Sequence, residues 1–339
     1  MILTVQSFRS VAAGFLKNSR CLRGATAFVT SILLAVLVCA ASGCAWLDAK
    51  QRQAIYRPTQ GVPADFVGLR AGDERYFLAV PKDLPVPISD SANVSGADQR
   101  VEIWWLPHAD ARAPTLLYFH GTFRNLYENL RKIDSLRAAG FAVLAVDYRG
   151  WGRSTPITPS EQSILQDANI AWAELQRREP RPQHRVLYGH SMGSGVAVDL
   201  ASRLKGGRAG TAGAAGAAGA DGGDYGGLIL ESALSSFGDV AGEVTGFTGF
   251  LARLLALSNN ERFASIDKIS KVTAPLLMIH GNLDTTIAPS LGKKLYEAAN
   301  APKQWLVIEG GAHSDVDDVG KVAYQAALLA FKGKYLTGP

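Results

Sequence analysis

Cysteine is missing from most of this 339-residue chain. Its three cysteines are Cys21, Cys39 and Cys44, so the 295 residues that follow Cys44 contain none. This absence excludes a disulfide framework and a cysteine-based metal site from the main part of the protein. Charged residues make up only 19% of the chain and hydrophobic residues 47%, a balance that excludes wholesale disorder and predicts a globular protein.

Acidic side chains are absent before Asp48, whereas Arg9, Lys17, Arg20 and Arg23 are basic. The formal net charge of +5 and the pI of about 9.1 would suit a protein that binds nucleic acid. Without those four basic residues, however, the rest of the chain has 31 basic and 30 acidic side chains. The basic excess therefore belongs to the N-terminal segment. Since no basic patch remains without this segment, we expect no nucleic-acid partner. The sequence also lacks a glycine-rich phosphate loop followed by lysine.

An apolar, uncharged run over residues 25–41 follows this basic segment. Basic, then apolar, then small residues is the order of a secretory signal peptide. The end of the run, Ala41-Ser42-Gly43-Cys44, resembles a bacterial lipobox with alanine where leucine is usual at the first position. The resemblance implies cleavage before Cys44 and lipidation of that cysteine. We therefore expect an exported lipoprotein. Its lipid would anchor it to a membrane, on the periplasmic face or at the outer membrane.

Two alternatives for this leader stay open. The apolar run has seventeen residues, the short limit for crossing a bilayer core of about 30 Å, so an uncleaved transmembrane anchor within residues 1–44 is one alternative. A translation start after Met1 is the other, because the basic segment is long for a signal peptide. Residues 45–70 are expected to form a tether and lead-in, and residues 71–339 the main domain.

Beyond the leader, apolar β-type runs alternate with helical patterns. The predicted strands are Arg75–Val80, Val101–Leu106, Thr115–Phe119, Ala142–Val146, Arg185–Tyr188, Leu228–Leu230, Pro275–Ile279 and Trp305–Ile308. Helical patterns cover residues 125–139, 161–178, 192–204, 289–299 and 316–331. The tetrapeptide Thr-Pro-Ser-Glu at residues 158–161 predicts a capping box with proline at the first helical position. This alternation predicts a doubly wound α/β sheet in one domain.

Two segments depart from the alternation. Residues 206–227 are rich in glycine and alanine, and a flexible surface loop is expected there because the segment has few side chains to bury. Residues 235–264 are apolar with scattered glycines. Their position suits a small helical cap over a substrate pocket, and their periodicity suits an ordinary core helix equally well.

The strongest chemical signal is the pentapeptide Gly-His-Ser-Met-Gly at residues 189–193, which follows a predicted strand and precedes a helical pattern. A serine on so tight a turn between a strand and a helix needs small neighbours. Gly189 and Gly193 supply them around His190 and Ser191. Ser191 is therefore the candidate nucleophile.

Serine is a weak nucleophile until a base takes its proton. Asp284 follows the predicted strand that ends at residue 279, and His313 follows the next strand. Histidine can act as the base, while a buried carboxylate holds its tautomer and stabilises the imidazolium. We therefore assign His313 as the base and Asp284 as the group that orients it. Glu231, at the end of another strand, is the alternative acid.

Backbone donors beside the nucleophile would stabilise the negative charge that develops on a substrate oxygen. The strand that ends at Phe119 runs into a His-Gly-Thr turn. The backbone N–H of Thr122 in this turn is one candidate donor for such an oxyanion hole. The backbone N–H of Met192, directly after the candidate nucleophile, is the other.

Residues 75–333 resemble a serine hydrolase of the α/β-hydrolase superfamily. The resemblance rests on the Gly-x-Ser-x-Gly turn, the chain order serine, aspartate, histidine, and the His-Gly turn. It extends to Val-Asp-Tyr-Arg-Gly-Trp-Gly-Arg-Ser at residues 146–154, which is similar to a structural stretch of that family. It implies an α/β-hydrolase fold, with a mostly parallel eight-stranded sheet, helices on both faces and a small helical cap.

The expected activity is cleavage of carboxylic ester or thioester bonds through an acyl-enzyme on Ser191. The apolar cap segment favours substrates with acyl chains, including lipid-like ones, over charged substrates. A serine peptidase or amidase with the same triad, and a non-catalytic envelope lipoprotein with a hydrolase-like fold, stay open as alternatives. Neither a cofactor nor a metal is expected, because the nearest acidic cluster, Asp315, Asp317 and Asp318, suits a cap of the final helix.

Overall fold

The computed structural model describes residues 46–82, 98–207, 223–243 and 262–336. The predicted signal peptide with Cys44 lies outside the described residues, as do residues 208–222 of the Gly/Ala tract and residues 244–261 of the candidate cap. The chain divides into two compact units, Met1–Lys50 and Gln51–Pro339. Within the described ranges, no helix is both long and apolar enough to cross a membrane.

Eight strands of the second unit form one sheet. They are β1 (Glu74–Ala79), β2 (Arg100–Leu106), β3 (Thr115–Phe119), β4 (Ala142–Asp147), β5 (Arg185–His190), β6 (Gly227–Glu231), β7 (Leu276–Gly281) and β8 (Lys303–Ile308). Their order across the sheet is β1-β2-β4-β3-β5-β6-β7-β8. Strand β2 runs antiparallel to β1 and β4, and the strands from β3 to β8 pair in parallel. The predicted mostly parallel, eight-stranded sheet is therefore confirmed.

Helices cover both faces of this sheet. The described chain begins in helix α1 (46–56) and continues with α2 (Leu130–Ala138), α3 (Glu161–Arg178), α4 (Met192–Arg203), α5 (Phe237–Glu243), α6 (Pro289–Ala298), α7 (Val316–Val319) and α8 (Lys321–Tyr335). Helices α3, α4 and α6 contribute to the core on one face, and α2 and α8 contribute to the core on the other. Because both faces are covered, every residue of β3 to β7 is buried, which explains their continuous apolar sequences.

The start of α3 differs from the prediction. Its N-cap is Ser160, whose hydroxyl accepts the Ser163 N–H at 3.1 Å, while the Ser163 hydroxyl accepts the Ser160 N–H at 2.9 Å. The capping box therefore lies two residues later than predicted, and Pro159 stands before the cap. The Glu161 carboxylate instead accepts the backbone N–H groups of the segment that starts at Arg262, which a local pattern could not indicate.

The compact unit starts at Gln51, twenty residues before the predicted domain start at residue 71. Tyr56 is fully buried and meets the rings of Trp151 and Phe263 edge-on, each with a centroid separation of 6.4 Å. The Arg52 guanidinium donates to the backbone oxygens of residues 158 and 159. Part of the segment predicted as a tether and lead-in therefore belongs to the folded body, with Tyr56 in the core and Arg52 buried against the chain before α3.

The described ends of the Gly/Ala tract belong to the folded body. Gly206 bridges to Tyr225, and the Gly207 N–H donates to the Tyr225 carbonyl at 2.8 Å. Tyr225 is fully buried, and β6 begins two residues later at Gly227. Of the candidate cap, the structure describes α5 and the stretch from Arg262 onward. Phe263 in that stretch is buried in the core.

Candidate active site

Ser191 occupies the sharp turn between β5 and α4. Its backbone angles are φ 56° and ψ −126°, a region that costs a non-glycine residue about 1–3 kcal/mol and is found mainly at functional sites. The turn is crowded: a Cβ on Gly189 would lie 2.2 Å from the Gly193 oxygen, and one on Gly193 would lie 2.1 Å from the Phe119 oxygen. Both glycines are therefore required by packing, for the reason inferred from the pentapeptide.

His313 joins Ser191 to Asp284. Its Nε2 lies 2.9 Å from Ser191 Oγ, and its Nδ1 lies 2.8 Å from Asp284 Oδ2. The three residues follow β5, β7 and β8, whose carboxyl ends share one edge of the sheet. All three are buried. An Nδ1–H that donates to Asp284 leaves the Nε2 lone pair directed at the serine hydroxyl, the tautomer that a general base needs.

Asp284 is held in its ionised form. Burial alone would raise its pKa, but hydrogen bonds from His280 and His313, together with the Ile287 N–H, hold the pKa of Asp284 well below its ordinary value. Its Oδ1 accepts the N–H groups of Thr286 and Ile287, both at 2.9 Å. A carboxylate with these donors is fixed in orientation as well as in charge.

His190, predicted only as a residue of the turn, also positions His313. Its Nε2 donates to the His313 carbonyl oxygen at 2.9 Å, and the Ser232 hydroxyl donates to the same oxygen at 3.1 Å. Burial, with the nearby charges of Lys132 and His313, holds the pKa of His190 well below its ordinary value. A neutral His190 therefore supports the backbone of His313 while its own ring stays out of proton transfer.

The turn that follows β3 brings the Gly121–Thr122 peptide beside Ser191. A Cβ on Gly121 would lie 3.1 Å from Ser191 Cβ. The His120 Nδ1–H donates to the Gly121 carbonyl oxygen at 2.7 Å. Because the C=O and N–H of a trans peptide point in opposite directions, this bond turns the Thr122 N–H to the other side of the peptide plane.

Met192 provides a second backbone donor. It is the first residue of α4, where N–H groups have no partner within the helix. Neither the Thr122 nor the Met192 N–H donates a hydrogen bond to any group in the described part of the chain. Two N–H groups beside the serine hydroxyl are the components of an oxyanion hole.

Glu231, the alternative acid, lies in a separate buried cluster. Its carboxylate accepts from Lys132 Nζ and from the hydroxyls of Tyr188 and Tyr324. His313 Nδ1 contacts Asp284 instead. Glu231 can therefore not orient the histidine, although its backbone oxygen accepts the Ser191 N–H at 3.0 Å and supports the turn.

The acidic cluster after His313 does not cap the final helix by its side chains. Asp315 stands at the N-cap position of α7, but its carboxylate accepts the Ala312 N–H at 2.7 Å. Asp317 is paired with Lys132 at 2.9 Å and with Arg131 at 3.1 Å. Tertiary charge pairing thus outweighs local capping. Among the described residues, no group of histidine, cysteine, aspartate or glutamate side chains could hold a metal ion.

A cleft opens above the serine, and we refer to it as the Ser191 cleft. The described residues that line it are Gly121, Thr122, Phe123, Arg124, Asn129, His190, Ser191, His313 and Ser314. Thr122 with its loop, the candidate nucleophile and the candidate base thus face one space. Sequence reasoning did not single out Arg124, His120, His280 or Ser232, because their roles depend on which side chains meet across the fold.

The chain is similar in sequence to a known protein family and to individual proteins of other organisms. A family model described as "Serine aminopeptidase, S33" matches residues 111–243. An uncharacterised protein of Mycobacterium tuberculosis (strain ATCC 25618 / H37Rv) is 30% identical over 287 residues, which cover 84% of this chain and 88% of that protein. The lysophosphatidylserine lipase ABHD12 of Danio rerio is 31% identical over 212 residues, which cover 59% of this chain and 51% of the lipase.

Solved structures share the fold. The esterase Pf2001 of Pyrococcus furiosus superposes with a TM-score of 0.55 at 15% identity, covering 82% of this chain and 100% of the esterase. The acetyl ester-xyloside bifunctional hydrolase of Caldicellulosiruptor lactoaceticus gives 0.53 at 16% identity, over 76% of this chain and 94% of that protein. With its fold and its relatives together, the chain belongs to the α/β-hydrolase superfamily, as a hydrolase of the α/β type.

Proposed function

We propose that the protein is a serine hydrolase that cleaves carboxylic ester or thioester bonds through an acyl-enzyme on Ser191. The observation that carries this proposal is the position of His313, 2.9 Å from Ser191 Oγ and 2.8 Å from Asp284 Oδ2. A base that contacts both the nucleophile and a fixed carboxylate can activate a serine hydroxyl at neutral pH.

In the first half-reaction, Ser191 Oγ attacks the carbonyl carbon of the substrate while His313 Nε2 takes the hydroxyl proton. The carbonyl oxygen becomes negatively charged and accepts hydrogen bonds from the N–H groups of Thr122 and Met192. In comparable enzymes, one such donor contributes about 3 kcal/mol of transition-state stabilisation. When the carbonyl re-forms, the bond to the leaving alcohol or thiol breaks, and His313 gives its proton to the leaving group.

In the second half-reaction, water replaces the leaving group. His313 Nε2 takes a proton from this water, whose oxygen attacks the acyl carbonyl carbon. The bond to Ser191 Oγ then breaks, the acid is released, and Ser191 recovers its proton from His313. Asp284, with its low pKa, stays ionised and stabilises the imidazolium in both halves.

A peptidase is the second candidate, since the description of the matching family model names a serine aminopeptidase. Such an enzyme binds the positively charged amino terminus of its substrate, for which a carboxylate is the complementary group. The described residues that line the Ser191 cleft include no carboxylate, and they include the cation Arg124. This charge, together with the relative named as a lysophosphatidylserine lipase, supports an ester substrate.

A fluorophosphonate probe tests the nucleophile directly, because it reacts covalently with an activated serine. We expect labelling of Ser191 in the wild-type protein and none in Ser191→Ala. Ser202→Ala is the matched control, since Ser202 lies on the same helix and its hydroxyl donates to the Asp199 carbonyl oxygen. Labelling of Ser191→Ala at the wild-type rate would overturn the assignment.

A substrate panel separates the ester from the amide activity. p-Nitrophenyl esters of rising chain length and aminoacyl anilides would be compared by kcat/KM. We expect turnover of the esters. Preferential turnover of the anilides would replace the esterase proposal with the peptidase, and no turnover together with no probe labelling would favour a non-catalytic protein.

A further inference from the structure

The charge that lines the Ser191 cleft is positive. Of the described lining residues, Arg124 alone carries a permanent charge. Its guanidinium lies 5.7 Å from the centre of the Phe123 ring, and within the described residues it forms no ion pair. An arginine beside a reacting serine, without an acidic partner, is available to a ligand.

The acidic groups near the cleft do not neutralise it. Asp317 is paired with Lys132 and Arg131, and the Asp318 carboxylate lies 3.8 Å from the Arg131 guanidinium. Asp284 is buried, Asp315 accepts the Ala312 N–H, and Glu128 accepts the Asn125 N–H. Within the described residues, Arg124 forms no ion pair with any of these carboxylates and is the permanent charge in the lining of the cleft.

The backbone beside Arg124 offers donors rather than acceptors. The carbonyl oxygens of residues 121 to 124 are each occupied by a side-chain donor, in order from His120, Trp151, Thr59 and Asn129. In the part of the chain that the structure describes, the N–H groups of Thr122, Phe123 and Arg124 donate to no protein group. Successive free N–H groups next to a cation form a surface that suits an anion.

We infer that Arg124 and the loop of residues 121–124 bind an anionic group of the substrate, a phosphate or a carboxylate near the scissile bond. The guanidinium fork matches both groups, because each offers two oxygens in one plane. The inference rests on the proposed function, since it places the anion on an acyl ester. It also replaces the expectation that charged substrates are disfavoured. That expectation came from the apolar segment of residues 235–264, most of which lies outside the described residues. The substrate class is an acyl ester that carries a negative charge.

Matched pairs of esters test the inference. The phosphate pair is 1-hexanoylglycerol 3-phosphate against 1-hexanoylglycerol, and the carboxylate pair is mono-p-nitrophenyl succinate against p-nitrophenyl butyrate. For the preferred anion, we expect the wild-type enzyme to show a kcat/KM about 10 times that for the uncharged partner, the preference typical of one charge-assisted contact. A preference in the phosphate pair alone identifies a phosphate site, and a preference in the carboxylate pair alone identifies a carboxylate site. A preference in both pairs identifies a site that accepts either anion.

Variants connect the preference to Arg124. Arg124→Gln should reduce the ratio from about 10 to about 1, and Arg124→Lys should keep part of it because the charge remains. Arg112→Gln is the matched control, since Arg112 is an exposed arginine paired with Asp110 away from the cleft lining. An equal ratio in the wild type and in Arg124→Gln would overturn the inference.

A binding measurement separates failure of the anion site from failure of the hydrolase proposal. In Ser191→Ala, calorimetry would compare glycerol 3-phosphate and glycerol, with and without Arg124→Gln. We expect the second substitution to weaken only glycerol 3-phosphate binding, by about tenfold. If that loss occurs while the wild type hydrolyses no ester, the anion site stands and the proposed function fails. If esters are hydrolysed without regard to charge and the Arg124 variants change nothing, the anion site fails alone.

Discussion

His280 and His313 contact the same carboxylate oxygen. His280 Nε2 lies 3.3 Å from Asp284 Oδ2, which also accepts from His313 Nδ1 at 2.8 Å. His280 is buried and its ring stacks on Trp305 with a centroid separation of 5.9 Å. A Cβ on Gly292 would lie 2.4 Å from His280 Nδ1. The ring is therefore closely packed, and its Nε2 lies 3.0 Å from the Ile287 carbonyl oxygen as well as beside Asp284.

This contact makes His280 a positioning residue for Asp284. His280→Ala should lower kcat by up to about 100-fold with little change in KM, because a small misplacement of a catalytic group slows the chemical step. His280→Gln should recover part of the rate, because its side-chain amide can still donate. Ester kinetics measure both variants. If His280→Ala raised KM and left kcat unchanged, this role for His280 would be wrong.

Asp284→Asn should lower kcat by about 10⁴-fold, because an amide in this position favours the wrong tautomer of His313. Circular dichroism would show that the fold is retained. Glu231→Gln serves as the comparison acid, since Glu231 does not contact His313. An equal loss of probe labelling in both variants, with both folded, would contradict the assignment of Asp284.

Asp284 should also contribute to the pH dependence of stability. Its pKa in the folded protein lies below the ordinary value of 3.8, so the unfolded chain takes up a proton at a pH where the folded protein does not. The contribution is therefore present at neutral pH and is lost as the pH falls below about 4. Chemical denaturation at pH 6 and pH 3 should show a smaller loss of stability for Asp284→Asn than for the wild type. A larger loss of stability in Asp284→Asn than in the wild type would contradict a lowered pKa of Asp284 in the folded protein.

Packing predicts opposite changes in stability for two glycine substitutions, one in the crowded serine turn and one in an open helix position. Gly193→Ala places a Cβ 2.1 Å from the Phe119 oxygen, so we expect destabilisation above about 3 kcal/mol and loss of probe labelling. Gly333→Ala adds a Cβ with nothing within 4 Å on helix α8 and should stabilise by about 0.5–1 kcal/mol. Urea unfolding measures both. Tolerance of Gly193→Ala would contradict the crowding of the turn.

Lipidation of Cys44 is a prediction from the leader sequence. Labelled palmitate should enter the full-length protein expressed in a bacterium and should be absent from Cys44→Ala. Cys39→Ala is the matched control, because this cysteine lies within the apolar run. Incorporation into Cys44→Ala at the wild-type level would exclude this residue as the lipid site.

Local patterns located the elements of the fold and the residues of the candidate site. The buried strands show as continuous apolar runs because both faces of the sheet are covered. Ser191, Asp284 and His313 could be selected because each lies in the loop or turn that follows a strand, and parallel strands end at one edge. The capping box of α3 lies two residues later than the sequence predicts. The Glu161 carboxylate binds the N–H groups of residues 262 and 263, about a hundred residues further along the chain, and a local pattern does not show such a contact.

Sequence order was thus sufficient for the alternation of strands and helices and for the candidate nucleophile, because a strand, a tight glycine-flanked turn and a helix are all local features. The choice between Asp284 and Glu231 was not local. It depends on which carboxylate faces His313 across neighbouring strands, and Glu231 is instead occupied by Lys132 and two tyrosines. The uncompensated charge of Arg124 is likewise visible only in three dimensions. Whether an arginine is paired depends on which distant side chains surround it, and the chemical character of the Ser191 cleft follows from that arrangement.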